Sequence, residues 1–380
     1  MPQWPSRFET ECLKAVEFAQ QVMDKDTLAR NENAQFDRQL WNKCAEFGVL
    51  GWCMPKEYSG AGYSIEHTTH LLEAIGYGCR DNGLTLGLNG QVWSVQEPLL
   101  KFGTEHQKTK YLAGMCRGEI IAAHGMTEPE SGSDAFSLQT TATAVDEGYV
   151  LNGQKIYIGL SPVAELLLIF AKTNPDAGGW GISAFLVEAD SEGCVVSAGI
   201  PKQGLNSNPA GMIQLTDCFV PKENRLGPEG IGMTMFNHSM DWERGFIFAS
   251  HVGSMARQLD QCIEYCKSRR QFGRPVSDFQ AVSHRVVDTK VRYDQARDAL
   301  YRVARLKDEN QSATMEACLA KLVISEAFQA NSLDAIRIHG AVGYMTEHEI
   351  ERDLRDATGG VLYSGTSDIQ KNIIAKMLGL

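Results

Sequence analysis

The sequence predicts an α+β protein: a helical N-terminal region over residues 1–120, a central antiparallel β-domain over 121–228, and a second helical region over 229–380. Three observations predict it. Apolar residues recur at helical spacing in the first 120 residues. From about Ile121 short apolar runs between turn residues replace that period. The helical period returns after Glu229, and no proline follows Pro275 to interrupt it.

Each element has its own signal. Phe36, Leu40, Cys44 and Phe47 fall on one helical face, and Gly48 suits the end of that helix. Pro55 to Gly62 (PKEYSGAG) reads as a loop. The segment Gly148 to Ile158 reads as two short strands about a tight hairpin turn at Asn152-Gly153, since both residues accept positive φ. Leu166–Ala171, Ile182–Val187 and Met212–Leu215 read as further strands bounded by turn residues. Phe248, Val252, Met255, Leu259 and Ile263 mark one late helix; Val282, Val286, Tyr293, Ala296, Leu300 and Val303 mark another.

Composition removes several function classes. A chain of 380 residues suits two or three packed sub-domains. A formal net charge of -11 repels phosphate backbones and argues against nucleic-acid binding. No apolar run approaches the roughly 20 residues a membrane-spanning helix needs. The start of the chain carries no apolar signal core, and the ten cysteines form no Cys-x-x-Cys pair; both predict thiols in a reducing cytoplasm. Cys262 with Cys266, and His67 with His70, lack a third ligand nearby and read as packing residues, so no metal is expected.

Four segments can carry chemistry. Met126-Thr-Glu-Pro-Glu-Ser-Gly-Ser-Asp134 offers small and hydroxyl residues that let a backbone approach an anion, or it is a surface loop. Arg269-Arg-Gln-Phe-Gly-Arg274 is a phosphate partner or a solvated basic patch. Leu362 to Gln370 (LYSGTSDIQ) leads into a last helix that Ser367 or Asp368 could cap. Asp241-Trp-Glu-Arg244 sets Glu243 among Met240, Phe246 and Phe248. A carboxylate in apolar surroundings suits a general base, and a solvent-facing Glu243–Arg244 pair is the alternative.

Together and in this order, with the NGQK segment, Val220-Pro-Lys-Glu-Asn224 and His339-Gly-Ala-Val-Gly-Tyr344, these motifs resemble the acyl-CoA dehydrogenase family along essentially the whole chain. The resemblance implies that the last region is a four-helix bundle. It implies FAD between that bundle and the β-domain, completed by a neighbouring subunit in a homotetramer. It places Met126, Thr127 and Ser133 along the flavin and pyrophosphate and Tyr157 against the isoalloxazine. Arg269, Gln271 and Phe272, with Arg337 and Gly340, would meet the partner subunit's cofactor. Thr366 and Asp368 would lie beside the dinucleotide.

Departures are informative. Gly159 follows Ile158 where a hydroxyl residue is usual, which alters the hydrogen bonding expected at the flavin. Arg337 stands where Gln is common and Ala341 where Gly is common. Ser364 replaces the Glu that most short- and medium-chain members use as base. A minority carry that acid on the helix before a conserved Arg, the position of Glu243. The resemblance therefore implies Glu243 as base, Ser364 as a substrate-binding loop residue whose N–H can contact the thioester oxygen, and Arg244 as a positioning group.

The combination SMDWER and SGTSDIQKNIIAKMLGL is similar to a subgroup acting on prolyl groups held by carrier proteins in natural-product pathways. An ordinary acyl-CoA ester is the alternative substrate, and a partner flavoprotein or O₂ the electron acceptor. A flavin monooxygenase on the same fold and a non-catalytic binding protein are the readings of another class.

Overall fold

The computed structural model describes residues 1–380. The chain is helical up to Cys116, and the first strand starts at Ala122. Asp37 caps the helix Arg38–Glu46 by accepting from the Leu40 N–H at 2.9 Å. That helix is shorter than the periodicity predicts: Phe36 precedes the cap and Phe47 follows the last turn, while Leu40 and Cys44 are buried.

Eight strands form one sheet: β1 (Ala122–Gly125), β2 (Thr141–Val145), β3 (Gly148–Gly159), β4 (Leu166–Lys172), β5 (Ile182–Glu188), β6 (Cys194–Val196), β7 (Ala210–Pro221) and β8 (Arg225–Leu226). Their order is β6-β7-β3-β2-β4-β5-β8, with β1 beside β4. Most pairings are antiparallel, as expected, but β1 runs parallel to β4 and β2 meets β4 in parallel at Thr141–Lys172. The sheet is therefore mixed. The chain between β1 and β4, including the β2–β3 hairpin, supplies the long crossover that a parallel pair requires.

The hairpin turn is not at Asn152-Gly153. Both residues lie inside β3, which runs unbroken for 12 residues, and the β2–β3 turn falls at Asp146-Glu147. Asn152 Nδ2 donates to Asp217 of β7 at 3.1 Å, and the Asp217 N–H returns a bond to Asn152 Oδ1 at 2.8 Å. This cross-strand exchange, beside a register shift at Leu151/Gly153, overrides the local turn preference.

After β8 come the helices Gly232–Phe246, Ala249–Ser268, Gln280–Asp308, Thr314–His339, Ile350–Gly360 and Ser367–Met377. The two longest, of 29 and 26 residues, fall in the stretch without proline. The N-terminal helix Ile65–Gly78 lies against Ala249–Ser268. A Cβ on Gly76 would sit 1.7 Å from the Ser250 carbonyl oxygen, and one on Gly253 would sit 1.9 Å from that of Glu73. Only glycine permits this approach. Fully buried Glu73 accepts from Tyr293 at 3.2 Å, Arg297 at 2.7 Å and Tyr301 at 2.5 Å, fastening the same helix to Gln280–Asp308. One core of 78 buried residues runs through all three regions.

All ten cysteines are free. Cys262 and Cys266 pack with Ala335 and Ile338. His70 stacks on Tyr301, and His67 lies between Phe8 and Tyr63 and beside Glu11. No helix is long and apolar enough to cross a membrane.

Candidate active site

Glu243 sits three residues before the end of the helix Gly232–Phe246 and is half-buried. The apolar surroundings expected of it are only part of its environment. Ser94 Oγ donates to its Oε2 at 2.8 Å, and Ser364 Oγ donates to its Oε1. Two hydroxyls from opposite ends of the chain thus fix the plane of one carboxylate. It forms no ion pair with Arg244, which is buried with its Nε unpartnered and lies near Cys318 of the helix Thr314–His339. The solvent-facing pair that spacing allowed is absent.

The placement of Ser94 follows from local sequence. Val92–Gln96 forms a π-helical turn, a distortion often found at functional sites. Pro98 lies four residues beyond Ser94 and has no N–H to offer its carbonyl. Ser239 Oγ donates to that carbonyl instead, at 3.1 Å, tying the turn to the helix that bears Glu243. The neighbouring indoles of Trp93 and Trp242 stack at 5.8 Å and 4°, setting the register that brings Ser94 to Glu243. Sequence reasoning missed Ser94, a single serine in an apolar run with no motif around it.

Ser364 occupies a left-handed conformation, φ 57°, in the loop between the last two helices. Gln370 Nε2 holds this loop through the carbonyls of Ser364 (3.2 Å) and Gly365 (2.9 Å), and Tyr363 stacks on Phe248. The N–H of Ser364 donates to no group in the chain. Thr366 caps the final helix by accepting from the Ile369 N–H at 3.1 Å, so neither Ser367 nor Asp368 is the cap. Ser367 Oγ binds Glu326, and exposed Asp368 pairs with Lys371.

The Met126–Asp134 loop is pinned to β3 from beneath. Lys155 Nζ, fully buried, donates to the Met126 carbonyl at 3.1 Å and to Glu128 Oε1 at 2.7 Å. Glu128 also accepts from Gln139 N and from Thr140 N and Oγ1. Burial pushes Lys155 down to about 8, against the pull of Glu128. Burial alone would raise Glu128, but Lys155 and the N–H donors more than offset it and hold it low. The Ile156 N–H donates to the Thr127 carbonyl. A register shift between Lys155 and Ile158, with Tyr157 at φ 60°, turns the Tyr157 ring outward to 68% exposure. Bulges commonly re-aim a side chain beside a site. Gly159 follows at the end of β3, with Asn208 its nearest neighbour.

Arg269 ends the helix Ala249–Ser268, and Gln271 and Phe272 belong to a small ribbon, β9 (Arg270–Gln271) and β10 (Arg274–Pro275). Phe272 is 93% exposed. Arg337 and Gly340 close the helix Thr314–His339 nearby, where Tyr265 donates to the His339 carbonyl and Arg337 pairs with Asp334. This group is separated from Glu243 by the 20-residue helix Ala249–Ser268, about 30 Å long. The predicted residues therefore form two sets at opposite ends of one helix. A cavity of about 580 Å³, lined by Lys110, Ser161, Glu165 and Glu188 among others, contains none of them.

The family models for the acyl-CoA dehydrogenase N-terminal, middle and C-terminal domains match residues 13–119, 123–218 and 230–379. The chain belongs to the acyl-CoA dehydrogenase family. A relative from a Serratia species, described as an L-prolyl-[peptidyl-carrier protein] dehydrogenase, is 40% identical over 96% of this chain and 95% of its own length. The crystal structure of the prolyl acyl carrier protein oxidase AnaB is similar over 100% of both chains, with 46% identity and a TM-score of 0.98. The structure of PigA with FAD and proline is similar over 100% of both chains, with 38% identity and a TM-score of 0.97.

The residues present fit the flavin dinucleotide of such dehydrogenases. Thr127 and Ser133 have side-chain hydroxyls that neither donate nor accept within the chain, while Glu128 and Ser131 carry the bonds that shape their loop. Gly132 has no atom within 4 Å of where a Cβ would stand. The outward Tyr157 ring supplies an aromatic wall. Free hydroxyls, an open glycine and an aromatic face are the donor set a pyrophosphate and a flat ring need.

Proposed function

We propose that this chain is an FAD-dependent oxidoreductase that dehydrogenates a prolyl group held as a thioester on a carrier protein, with Glu243 as the catalytic base. One observation carries the reading: the Glu243 carboxylate is held between two hydroxyls, where the Ser364 loop meets the Val92–Gln96 turn. Hydroxyl partners can rotate away as substrate arrives, leaving the carboxylate free to take a proton.

Met126, Thr127, Ser133, Tyr157 and Gly159 would hold FAD in this chain, with Thr366 and Asp368 beside it. When bound, FAD supplies the acceptor for the hydride. Glu243 takes the α-proton of the thioester. The free N–H of Ser364 meets the thioester oxygen, where negative charge develops as that proton leaves. Arg244 positions the end of the acid's helix. Arg269, Gln271, Phe272, Arg337 and Gly340 lie too far away to share this chain's cofactor, and exposed Phe272 suits a surface that another subunit covers. They would complete a neighbour's site in a homotetramer.

The prolyl reading is supported by the relatives' names and by the shared positions of Glu243 and Ser364 in the resemblance; an acyl-CoA ester is the competing substrate. The reaction belongs in the cytoplasm, where free thiols persist. Electrons leave to a partner flavoprotein or to O₂, and peroxide measured during turnover separates the two. Anaerobic mixing of the FAD-loaded enzyme with L-prolyl carrier-protein thioester, beside straight-chain acyl-CoA esters, tests the substrate. The prolyl thioester should bleach the yellow flavin fastest; bleaching by acyl-CoA esters alone would refute the proposal.

A further inference from the structure

We propose that His124 forms a subsite for the ring nitrogen of a cyclic aminoacyl substrate, its Nε2 accepting a hydrogen bond that a hydrocarbon acyl group cannot offer. The inference rests on the prolyl reading and deepens it.

The strand β1 carries His124 two residues before Met126. It packs against the turn Val92–Gln96, which presents Ser94 to Glu243. The imidazole lies against Phe170, with centroids 5.2 Å apart, and Phe236, at 6.0 Å. Phe136 meets Phe236 edge-on at 5.7 Å. Phe236 and Glu243 are seven residues apart on one helix, so they share a face two turns apart. His124 thus stands where that face meets the strand leading into the Met126–Asp134 loop.

Its chemistry is that of a binding group awaiting a partner. Nε2 is shielded from water and bonded to nothing in the chain, although the residue as a whole is only half-buried. Burial lowers the imidazole below its ordinary value, and the nearby charge of Glu243 offsets that only in part. The ring is therefore neutral at physiological pH, with one nitrogen lone pair available. In the tautomer protonated on Nδ1, Nε2 is an acceptor. Phenyl walls beside one unpaired acceptor suit a five-membered ring bearing a secondary amine. Held by its nitrogen, such a ring is limited in how it turns its adjacent α-carbon toward Glu243. A ring lacking the nitrogen would leave Nε2 desolvated and unpaired, and sites of that kind reject the analogue.

The test compares L-prolyl pantetheine thioester with cyclopentanecarbonyl pantetheine thioester, a ring of the same size without nitrogen. Wild type, His124→Phe, His124→Gln and His124→Asn are each loaded with FAD. Anaerobic flavin bleaching gives the reaction rate. Calorimetry with the matching pantetheine amides, whose α-protons are too weakly acidic to leave, gives affinity without turnover. Wild type should favour the prolyl compound. His124→Phe should weaken prolyl binding about tenfold to a hundredfold while leaving the cyclopentane compound unchanged. Gln, whose amide reaches the Nε2 position, should keep most of the preference, and the shorter Asn should lose it. If His124→Phe does not fold, the Gln–Asn pair decides the matter. Bleaching of wild type by the prolyl thioester, with the preference intact in His124→Phe or His124→Asn, overturns the subsite alone. Bleaching of wild type by neither ring overturns the prolyl reading and the subsite together.

Discussion

Glu243 and Asp356 are both carboxylates on helices of the C-terminal region, and their surroundings differ in kind. Glu243 is half-buried and accepts from two serine hydroxyls. Asp356 is fully buried and accepts from the Leu205 N–H at 2.5 Å and from Asn82 Nδ2 at 3.0 Å. Asn82 also donates to Asp353 at 2.7 Å, and Gln258 donates to Asp353 at 2.9 Å. Asn82, Leu205 and Asp356 come from the three successive regions of the chain, so this knot ties them together. Burial pushes Asp356 up to about 6, against the Leu205 N–H and Arg352. Amide donors in a sealed knot cannot be exchanged without opening the fold, whereas a hydroxyl can find a new partner by one rotation. At these two carboxylates the fixed donors go with architecture and the rotatable ones with the proposed chemistry.

That contrast can be broken by experiment. Glu243→Gln should retain FAD and thermal stability while flavin reduction by the prolyl thioester falls about 10²- to 10⁴-fold. An equal loss of stability would move Glu243 into the architectural class. Asp356→Ala leaves buried donors unpaired and should cost roughly 2–4 kcal/mol in denaturant unfolding, with little change in reduction rate per bound flavin. A variant that keeps its stability but loses its chemistry would reverse the assignment.

The pH dependence sharpens the same comparison. The Asp356 carboxyl is raised from 3.8 to about 6 on folding, so the folded state favours its protonated form. Its stabilising contribution is full below about pH 4 and is lost as pH rises through about 6. Wild type minus Asp356→Asn stability should therefore fall between pH 4 and 7, by at most about 3 kcal/mol. A flat difference would show that the carboxyl is not desolvated. The smallest effects belong to the serines: Ser94→Ala and Ser364→Ala should each slow flavin reduction about threefold to tenfold, with stability changes under about 1 kcal/mol.

The order of helices, sheet and helices is legible in the sequence because each period persists over many residues, as in the proline-free helices Gln280–Asp308 and Thr314–His339. Asn152-Gly153 misleads because its conformation is set by Asp217, 65 residues away on another strand. The parallel β1–β4 pairing leaves no local trace. Glu243 stands out as a candidate through its place before Arg244 in a motif with Ser364. Ser94 is not, because its meaning depends on a partner 149 residues distant. The helix cap fell one residue from its expected place because Thr366 and Ser367 are equally capable by type.

If Glu243 removes the α-proton, the fate of that hydrogen reports it without intermediary. An L-prolyl carrier-protein thioester deuterated at the α-carbon is mixed anaerobically with FAD-loaded enzyme, and the mass of the recovered acyl group is read. Wild type should release the α-deuterium, and Glu243→Gln should release none beyond the enzyme-free control. Release by Glu243→Gln at the wild-type rate would contradict the account.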